Sequence, residues 1–298
     1  MSLKTLIYIA GPTGIGKTKL SIELAKVLNT EIISCDSRQF YKEMNIGTAV
    51  PNKQELDQIP HHFIQHISIN NLYTVGDYEK DAVMKLKELF YENDNIIMVG
   101  GSGMYADAVM FGIDDFPEIP QETRSQIKIF YQTHGLKGIQ DLLLKKDPKY
   151  YSRVDIKNPA RLIRALEVCI ASDQPYSSFL GKERKPRNFI SKIIVLSSPR
   201  NILYEKINQR VDIMISNGLE DEARLLSKQK NLFPLKTVGY KELFPYYEKS
   251  QTLENAVNEI KKNSRRYAKR QITWFNKYEN AIRLSAKTSV EDVLKLLK

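Results

Sequence analysis

The sequence predicts an α/β protein: a parallel-sheet core that carries a phosphate-binding loop, an inserted all-helical subdomain and a helical C-terminal region. Three observations predict it. Short apolar, β-rich runs alternate with stretches of helical periodicity between residues 5 and 99. Each of these runs ends in glycine or a polar break, as at Gly11, Asp36 and Gly100. Between Asp114 and Lys185 the pattern changes to helical stretches interrupted by Pro117, Pro120, Pro148, Pro159 and Pro175, with no convincing strand. The expected core therefore spans 1–113 and 186–298, and the expected insertion spans 114–185.

Taken in order, Thr5 to Ala10 reads as a strand, Gly11 to Thr18 as a glycine-punctuated loop, and Lys19 to Leu28 as a helix with Leu20, Leu24 and Leu28 on one face. Glu31 to Cys35 is the next strand, which places Asp36 just past its C-terminal end. Tyr78, Ala82, Leu86, Leu89 and Phe90 mark one face of a helix over 77–91, and Ile96 to Val99 is a buried-type strand ending in Gly100, Gly101 and Gly103. Alternation of this kind implies a parallel sheet whose ligands bind beyond the C-terminal ends of its strands. Within the insertion, Asn158 and Pro159 make a helix start, and Leu162, Ile163, Leu166 and Ile170 supply an apolar stripe opposite Arg161 and Arg164. Ile190 to Leu196 resumes the sheet, Ile202 to Asn217 is a helix ended by Gly218, and most of the remainder reads as helical.

Gly11-Pro12-Thr13-Gly14-Ile15-Gly16-Lys17-Thr18 satisfies G-x-x-x-x-G-K-[ST] after a strand and before a helix, the context the motif requires. Its glycines let backbone N–H groups turn toward phosphate oxygens, and the helix N-terminus adds its positive end. Lys17 reaches the terminal phosphate, and the Thr18 hydroxyl suits Mg²⁺. An ordinary glycine-rich turn is the structural alternative. A nucleoside-triphosphate enzyme would normally offer a second acid at the end of another strand, but Ile96–Val99 runs into Gly100-Gly101-Ser102-Gly103.

Lys and Arg number 45 against 35 acidic residues, and the formal charge of +10 favours a polyanionic partner without bearing on the fold. Cys35 and Cys169 fit neither a disulfide framework nor paired metal ligands, so free thiols in a reducing compartment are expected. Leu6–Ala10 is too brief for a signal-peptide core, and no segment approaches a membrane span. A cytoplasmic monomer is the expectation.

Ordered blocks along nearly the whole chain resemble the bacterial tRNA dimethylallyltransferases. They are GPTGIGKT, EIISCDSRQFYKEMNIGTAVP, PHHF, VGGSGMYADAVMFGI, NPARLIRALEV, ISNGLEDEARLL, TVGYKEL and RRYAKRQITWF. The resemblance implies transfer of a dimethylallyl group from dimethylallyl diphosphate to N6 of the adenosine just 3′ of the anticodon in tRNA, with Mg²⁺ and without a nucleoside triphosphate. It gives Asp36 the role of general base. It also sets Ser37, Arg38 and Gln39 against the target base and its neighbours, puts Ser102 near the reacting amine, and has Arg124 contact tRNA and Arg210 reach the diphosphate. A base is needed because the lone pair of an exocyclic adenine amine is delocalised. For Asp36 a helix cap or Mg²⁺ ligand is the alternative, for Ser102 a capping serine, and for Arg210 a helix-surface salt bridge. Arg161 and Arg164 are expected at tRNA, although Ala160 stands where the family usually has glutamine. A base read in this way must leave its stack.

On the C-terminal helix, Lys261, Arg265 and Lys269, with Lys262, Arg266 and Arg270, repeat every four residues as a basic stripe suited to RNA phosphates, or else as a solvated face. Tyr267 and Trp274 read as core or interface anchors. His62 and His66 would share a helix face, but no neighbouring set completes a zinc site, and a structural role is expected for the PHH element. Two rival functions use the same residues. A small-molecule kinase would place ATP in the loop, and an RNA-binding module would keep the loop only as an anion clamp.

Overall fold

A computed structural model describes residues 3–181 and 186–297. The chain divides into two compact units, one built from 1–111 and 187–298 and the other from 112–186. The expected insertion boundary at Lys185 lies outside the described residues.

The first part of the larger unit contains β1 (Thr5–Ala10), α1 (Lys17–Leu28), β2 (Ile32–Ser34), α2 (Lys53–Leu56), β3 (His61–His62), α3 (Val75–Glu92), β4 (Asn95–Val99) and α4 (Gly103–Phe111). The smaller unit holds α5 (Gln121–Lys146), α6 (Pro148–Tyr151) and α7 (Pro159–Ser172). The chain then returns to the larger unit through β5 (Ile190–Ser197), α8 (Arg200–Ser216), α9 (Leu219–Leu226), α10 (Phe244–Tyr247), α11 (Leu253–Phe275), β6 (Ile282–Ser285) and α12 (Val290–Leu297). Among the described residues the strands form one parallel sheet in the order β3-β2-β4-β1-β5-β6.

Register explains why three loops meet. Val99 pairs with Ser34 on one side and Ile9 on the other, so β2, β4 and β1 end at one level. The chain leaving each strand there is the loop carrying Asp36, the glycine turn 100–103 and the phosphate loop, respectively. Side chains along β1 alternate between faces, as a period of two requires. Leu6, Tyr8 and Ala10 join the core with Tyr78, Ala82 and Leu86 of α3. Ile7 and Ile9 join the opposite core with Leu20 and Leu24 of α1 and Val293 of α12. Two buried tyrosine hydroxyls hold carbonyls at the strand ends: Tyr8 donates to Gly100 O at 3.2 Å and Tyr78 to Ser34 O at 2.9 Å.

Two strands escape sequence periodicity. His61–His62 is β3, so His62 and His66 do not share a helix face; His62 Nε2 instead meets Glu31 at 2.6 Å. Two residues are too few to show any period, and β6, with a half-exposed Ile-Arg-Leu-Ser pattern, sits among helical sequence. Gly218, expected to end a helix, also opens α9 with φ 97°. Among the described residues no helix is long and apolar enough to cross a membrane, and Cys35 and Cys169 are buried and unpaired.

In the smaller unit Pro120, Pro148 and Pro159 stand at helix starts, whereas Pro117 lies in the irregular segment before α5. Pro148 and Pro159 occupy the first turns of α6 and α7, and Pro120 precedes α5, where a missing N–H costs nothing. Asn158 accepts from Arg161 N, as its capping sequence requires. The buried face of α7 includes Leu162, Ala165, Leu166 and Cys169, spaced at three and four residues. Leu162, Ala165 and Leu166 pack with Ile127, Ile139 and Leu143 of α5. Ile170, expected in that stripe, is exposed because it falls one residue past the seam. Arg164 lies 5.4 Å from the Phe116 ring centroid, and Arg161 is exposed. Arg124 is half-buried, and its Nε finds no hydrogen-bond partner among the described residues.

Gly47 shows how tightly the larger unit is packed beside its cavity. A Cβ there would stand 2.5 Å from the Tyr240 ring, whose hydroxyl donates to Glu222 at 2.6 Å. Gly47→Ala is therefore expected to lower stability by ~1–3 kcal/mol, read as a lower urea midpoint at unchanged slope. An unchanged midpoint would mean that the ring yields freely.

Candidate active site

The loops beyond β1, β2 and β4 open into a cavity of about 530 Å³ in the larger unit, closed on the far side by α8 and α11. Thr13, Asp36, Ser102, Arg210 and Gln271 all face it.

In the phosphate loop, Lys17 Nζ bends back to donate to the carbonyls of Gly11 and Pro12 at 2.9 and 3.0 Å. Ile15 is buried beneath the loop and Gly16 takes φ 104° immediately before α1. Gly14 lies against Ile207 of α8. Burial lowers the Lys17 pKa to about 8, with Arg210 pushing the same way and Asp36 opposing. Arg210 reaches Thr13 Oγ1 at 3.2 Å, and burial also lowers its pKa while Asp36 opposes. Its guanidinium therefore belongs to the loop, unlike a salt bridge on a helix surface.

Asp36 lies two residues past the end of β2. Its Oδ1 accepts from Arg38 N at 3.3 Å and so holds a tight turn. Its Oδ2 is 3.9 Å from the point a Cβ on Gly101 would take. Ser102 Oγ accepts from Ser37 N at 3.1 Å and pairs with Ser37 Oγ at 3.0 Å, so its side chain ties the glycine turn to the Asp36 loop. The start of α4 is served instead by the Ser102 carbonyl, which accepts from Tyr105 N and Ala106 N. Arg38 sits 5.1 Å from the Phe233 ring centroid and donates to Pro234 O at 3.4 Å. The Gln39 amide donates to Thr48 O and Ala49 O at 3.3 and 2.9 Å, bracing the cavity wall.

The donor set fits Mg²⁺ held largely by a substrate. Thr18, half-buried at the first turn of α1, offers one neutral oxygen beside Lys17. No group of three or more His, Cys, Asp or Glu suited to a metal occurs among the described residues. Mg²⁺ commonly takes one or two protein oxygens and completes its shell with phosphate and water.

Residues 39–278 match the family model for IPP transferase. The tRNA dimethylallyltransferase of Flavobacterium psychrophilum is 52% identical over 298 residues, covering 98% of this chain and 97% of that protein. The chain belongs to the IPP transferase family. Among solved structures of similar proteins, the tRNA isopentenylpyrophosphate transferase of Bacillus halodurans gives a TM-score of 0.72 at 34% identity, covering 99% of this chain and 95% of that one. A eukaryotic dimethylallyltransferase acting on tRNA gives 0.82 at 26% identity, covering 95% and 74%.

For a chain of the IPP transferase family, α11 contributes more to the cavity than its charge pattern predicts. Tyr267, Arg270, Gln271 and Trp274 line it. Burial, with Asp36 adding, pushes the Tyr267 phenol up to about 12. Trp274 Nε1 donates to Asp107 at 3.2 Å. The signal was spacing at three and four residues from 267 to 274, which places these side chains on one face. The basic stripe is narrower than expected: Lys261 is bound to Asp212 at 2.5 Å and Arg265 to Asn208 at 2.6 Å, both on α8. Lys262, Arg266, Lys269 and Arg270 remain exposed.

Because burial disfavours charged Lys17, the folded protein binds fewer protons there than the unfolded chain between about pH 8 and 10.5. The resulting stability penalty is full below that window and is relieved as pH rises through it. An anion in the loop should recharge the amine. At about pH 8.5, titration calorimetry of diphosphate binding in buffers of different ionisation enthalpy is expected to show roughly three-quarters of a proton more uptake than in Lys17→Met. Equal uptake would mean that the amine does not face the anion.

Proposed function

We propose that the chain transfers the dimethylallyl group of dimethylallyl diphosphate to N6 of the adenosine immediately 3′ of the anticodon in tRNA, giving N6-isopentenyladenosine and diphosphate. The observation that carries this reading is the meeting, in one cavity, of a carboxylate, Asp36, with Arg210 and Thr13 of the phosphate loop, whose half-buried Lys17 feels the charges of both Asp36 and Arg210. Family membership supports it, since the similar proteins are named for this activity.

The reaction breaks the bond from the allylic carbon to diphosphate oxygen and forms a bond from that carbon to N6. Negative charge grows on the leaving diphosphate, where Lys17, Arg210 and the backbone amides of the phosphate loop stabilise it more than in the ground state. The proton leaving N6 goes to Asp36, whose Oδ2 faces the glycine turn. Mg²⁺ held beside Thr18 would supply further positive charge to the diphosphate. Ser102 and Ser37 fix the turn and the Asp36 loop against each other, so that base and acceptor meet in one geometry. Arg38 and Phe233 offer a cation and an exposed aromatic face at the cavity, suited to neighbouring nucleotides. Lys269 and Arg270, with Arg124, Arg161 and Arg164 of the helical unit, supply positive charge for RNA phosphates. Action in the cytoplasm suits the buried free thiols Cys35 and Cys169.

Incubation with Mg²⁺, unmodified tRNA and either dimethylallyl diphosphate or ATP, followed by nucleoside mass spectrometry, separates the readings. Isopentenyladenosine formed only from the allylic diphosphate is expected; a phosphorylated product would make the protein a kinase. In the same assay Asp36→Asn should lose at least ~10²-fold in turnover while binding tRNA normally. Near-normal turnover would remove Asp36 as the base.

Salt dependence of tRNA binding tests the surface of α11. Replacing Arg266 or Lys269 with Gln should flatten the slope of log K against log salt by about 0.7 for each phosphate that the native side chain neutralises. Lys261→Gln, whose amine is already held by Asp212, should leave the slope unchanged. Equal slopes for all three variants would place the RNA elsewhere.

A further inference from the structure

We infer that Gln271 is a positioning residue that couples the diphosphate site to the base site by tying the phosphate loop to the glycine turn through the two ends of one buried amide. The inference rests on the proposed transferase reading for the identity of the two sites. Thr13 N donates to Gln271 Oε1 at 2.9 Å, and Gln271 Nε2 donates to Gly101 O at 2.9 Å. The side chain is buried, so neither end has water as an easy substitute.

The amide can lie only one way. Rotated by half a turn, it would set N–H against the Thr13 N–H and oxygen against the Gly101 carbonyl. Close approach is possible because residue 101 has no side chain; a Cβ there would stand 2.1 Å from Nε2. On the far side of Thr13, its hydroxyl accepts from Arg210 at 3.2 Å. Beyond Gly101, Ser102 is bonded to Ser37 beside Asp36. A continuous path of hydrogen bonds and backbone thus joins the cation that meets diphosphate to the loop that carries the base, with Gln271 as its central link. A bound diphosphate that draws on Thr13 also draws on the turn beneath the adenine.

Two substitutions dissect the link. Gln271→Glu keeps an acceptor for Thr13 N–H but turns oxygen toward the Gly101 carbonyl; Gln271→Met fills similar space and serves neither end. In the full-length wild-type protein, saturating inorganic diphosphate with Mg²⁺ is expected to change the affinity for an anticodon stem-loop RNA by about fivefold or more. The same addition should change it less than about twofold in either variant. Turnover should fall by about 10–100-fold in both, with the Kd of each ligand measured alone little altered, because small misplacements act on the reacting geometry. A side chain that served only packing would lower the melting temperature and leave the coupling of the folded protein intact.

A readout on wild-type protein needs no variant: RNA alone should slow hydrogen exchange in the peptide containing Thr13. Absent coupling in the wild type, unchanged exchange at that peptide, or variants that keep wild-type coupling and turnover would each overturn the role of Gln271. These binding measurements are independent of product. Coupling without any prenylated nucleoside would therefore sink the transferase reading and leave the link standing.

Discussion

The close approach of α11 to the turn after β4 is the constraint on which the site depends. Gly101 and Gly103 leave no Cβ where Gln271 and Trp274 must lie; added Cβ atoms would stand 2.1 Å and 2.2 Å from those side chains. With glycine at both positions, a helix from the C-terminal end of the chain reaches the mouth of a sheet built mostly from its first hundred residues. That approach closes the cavity, buries the Gln271 amide and sets Tyr267 and Arg270 along the same wall system as Asp36. A larger residue in the turn would move the helix outward and open the site to water, weakening every electrostatic interaction inside it.

At the cavity and in the phosphate loop beside it, two half-buried cations stand near one carboxylate. Lys17 and Arg210 each lose ease of protonation through burial, and Arg210 further disfavours charge on Lys17; Asp36 offsets part of this. The protein retains the arrangement because surrounding packing and hydrogen bonds hold it. Lys17 rests on two loop carbonyls, and Arg210 rests on Thr13. Such preorganisation is what favours charge that appears only as a leaving group departs, since little rearrangement is left to occur at that moment.

The sheet core was readable because its strands are buried on both faces and end in recognisable breaks. β1, β4 and β5 are long enough to show this, and the phosphate motif supplied its own flanks. β3 and β6 were not readable, being two and four residues long and half-exposed. Asp36 and Ser102 could be placed at strand ends, and the parallel order brings those ends together. Spacing sets Gln271 on the face of Tyr267 and Trp274, but nothing marked it chemically, because a glutamine within a basic run looks like one more solvated side chain. Its importance arises only from the crossing of α11 over a turn about 170 residues earlier. Lys261 and Arg265 illustrate the reverse error: a regular stripe in sequence includes members that tertiary contacts with α8 remove from the surface.

The turn after β4 also explains how a phosphate loop of nucleotide-binding type can serve a different substrate. In a nucleoside-triphosphate enzyme a carboxylate at such a position helps hold the metal. Here the Gly100 carbonyl receives the Tyr8 hydroxyl, the Gly101 carbonyl receives Gln271, and Trp274 lies against Gly103, so the space is already filled by neutral contacts. The acid has moved one strand over, to Asp36, where Oδ1 is engaged with its own turn and Oδ2 faces the cavity. Removing a carboxylate from beside the phosphates lessens repulsion of a departing diphosphate. Under the proposed reading, placing one across the cavity would supply a proton acceptor for the amine. On the proposed reading, the two features together suit such a loop to releasing diphosphate from carbon.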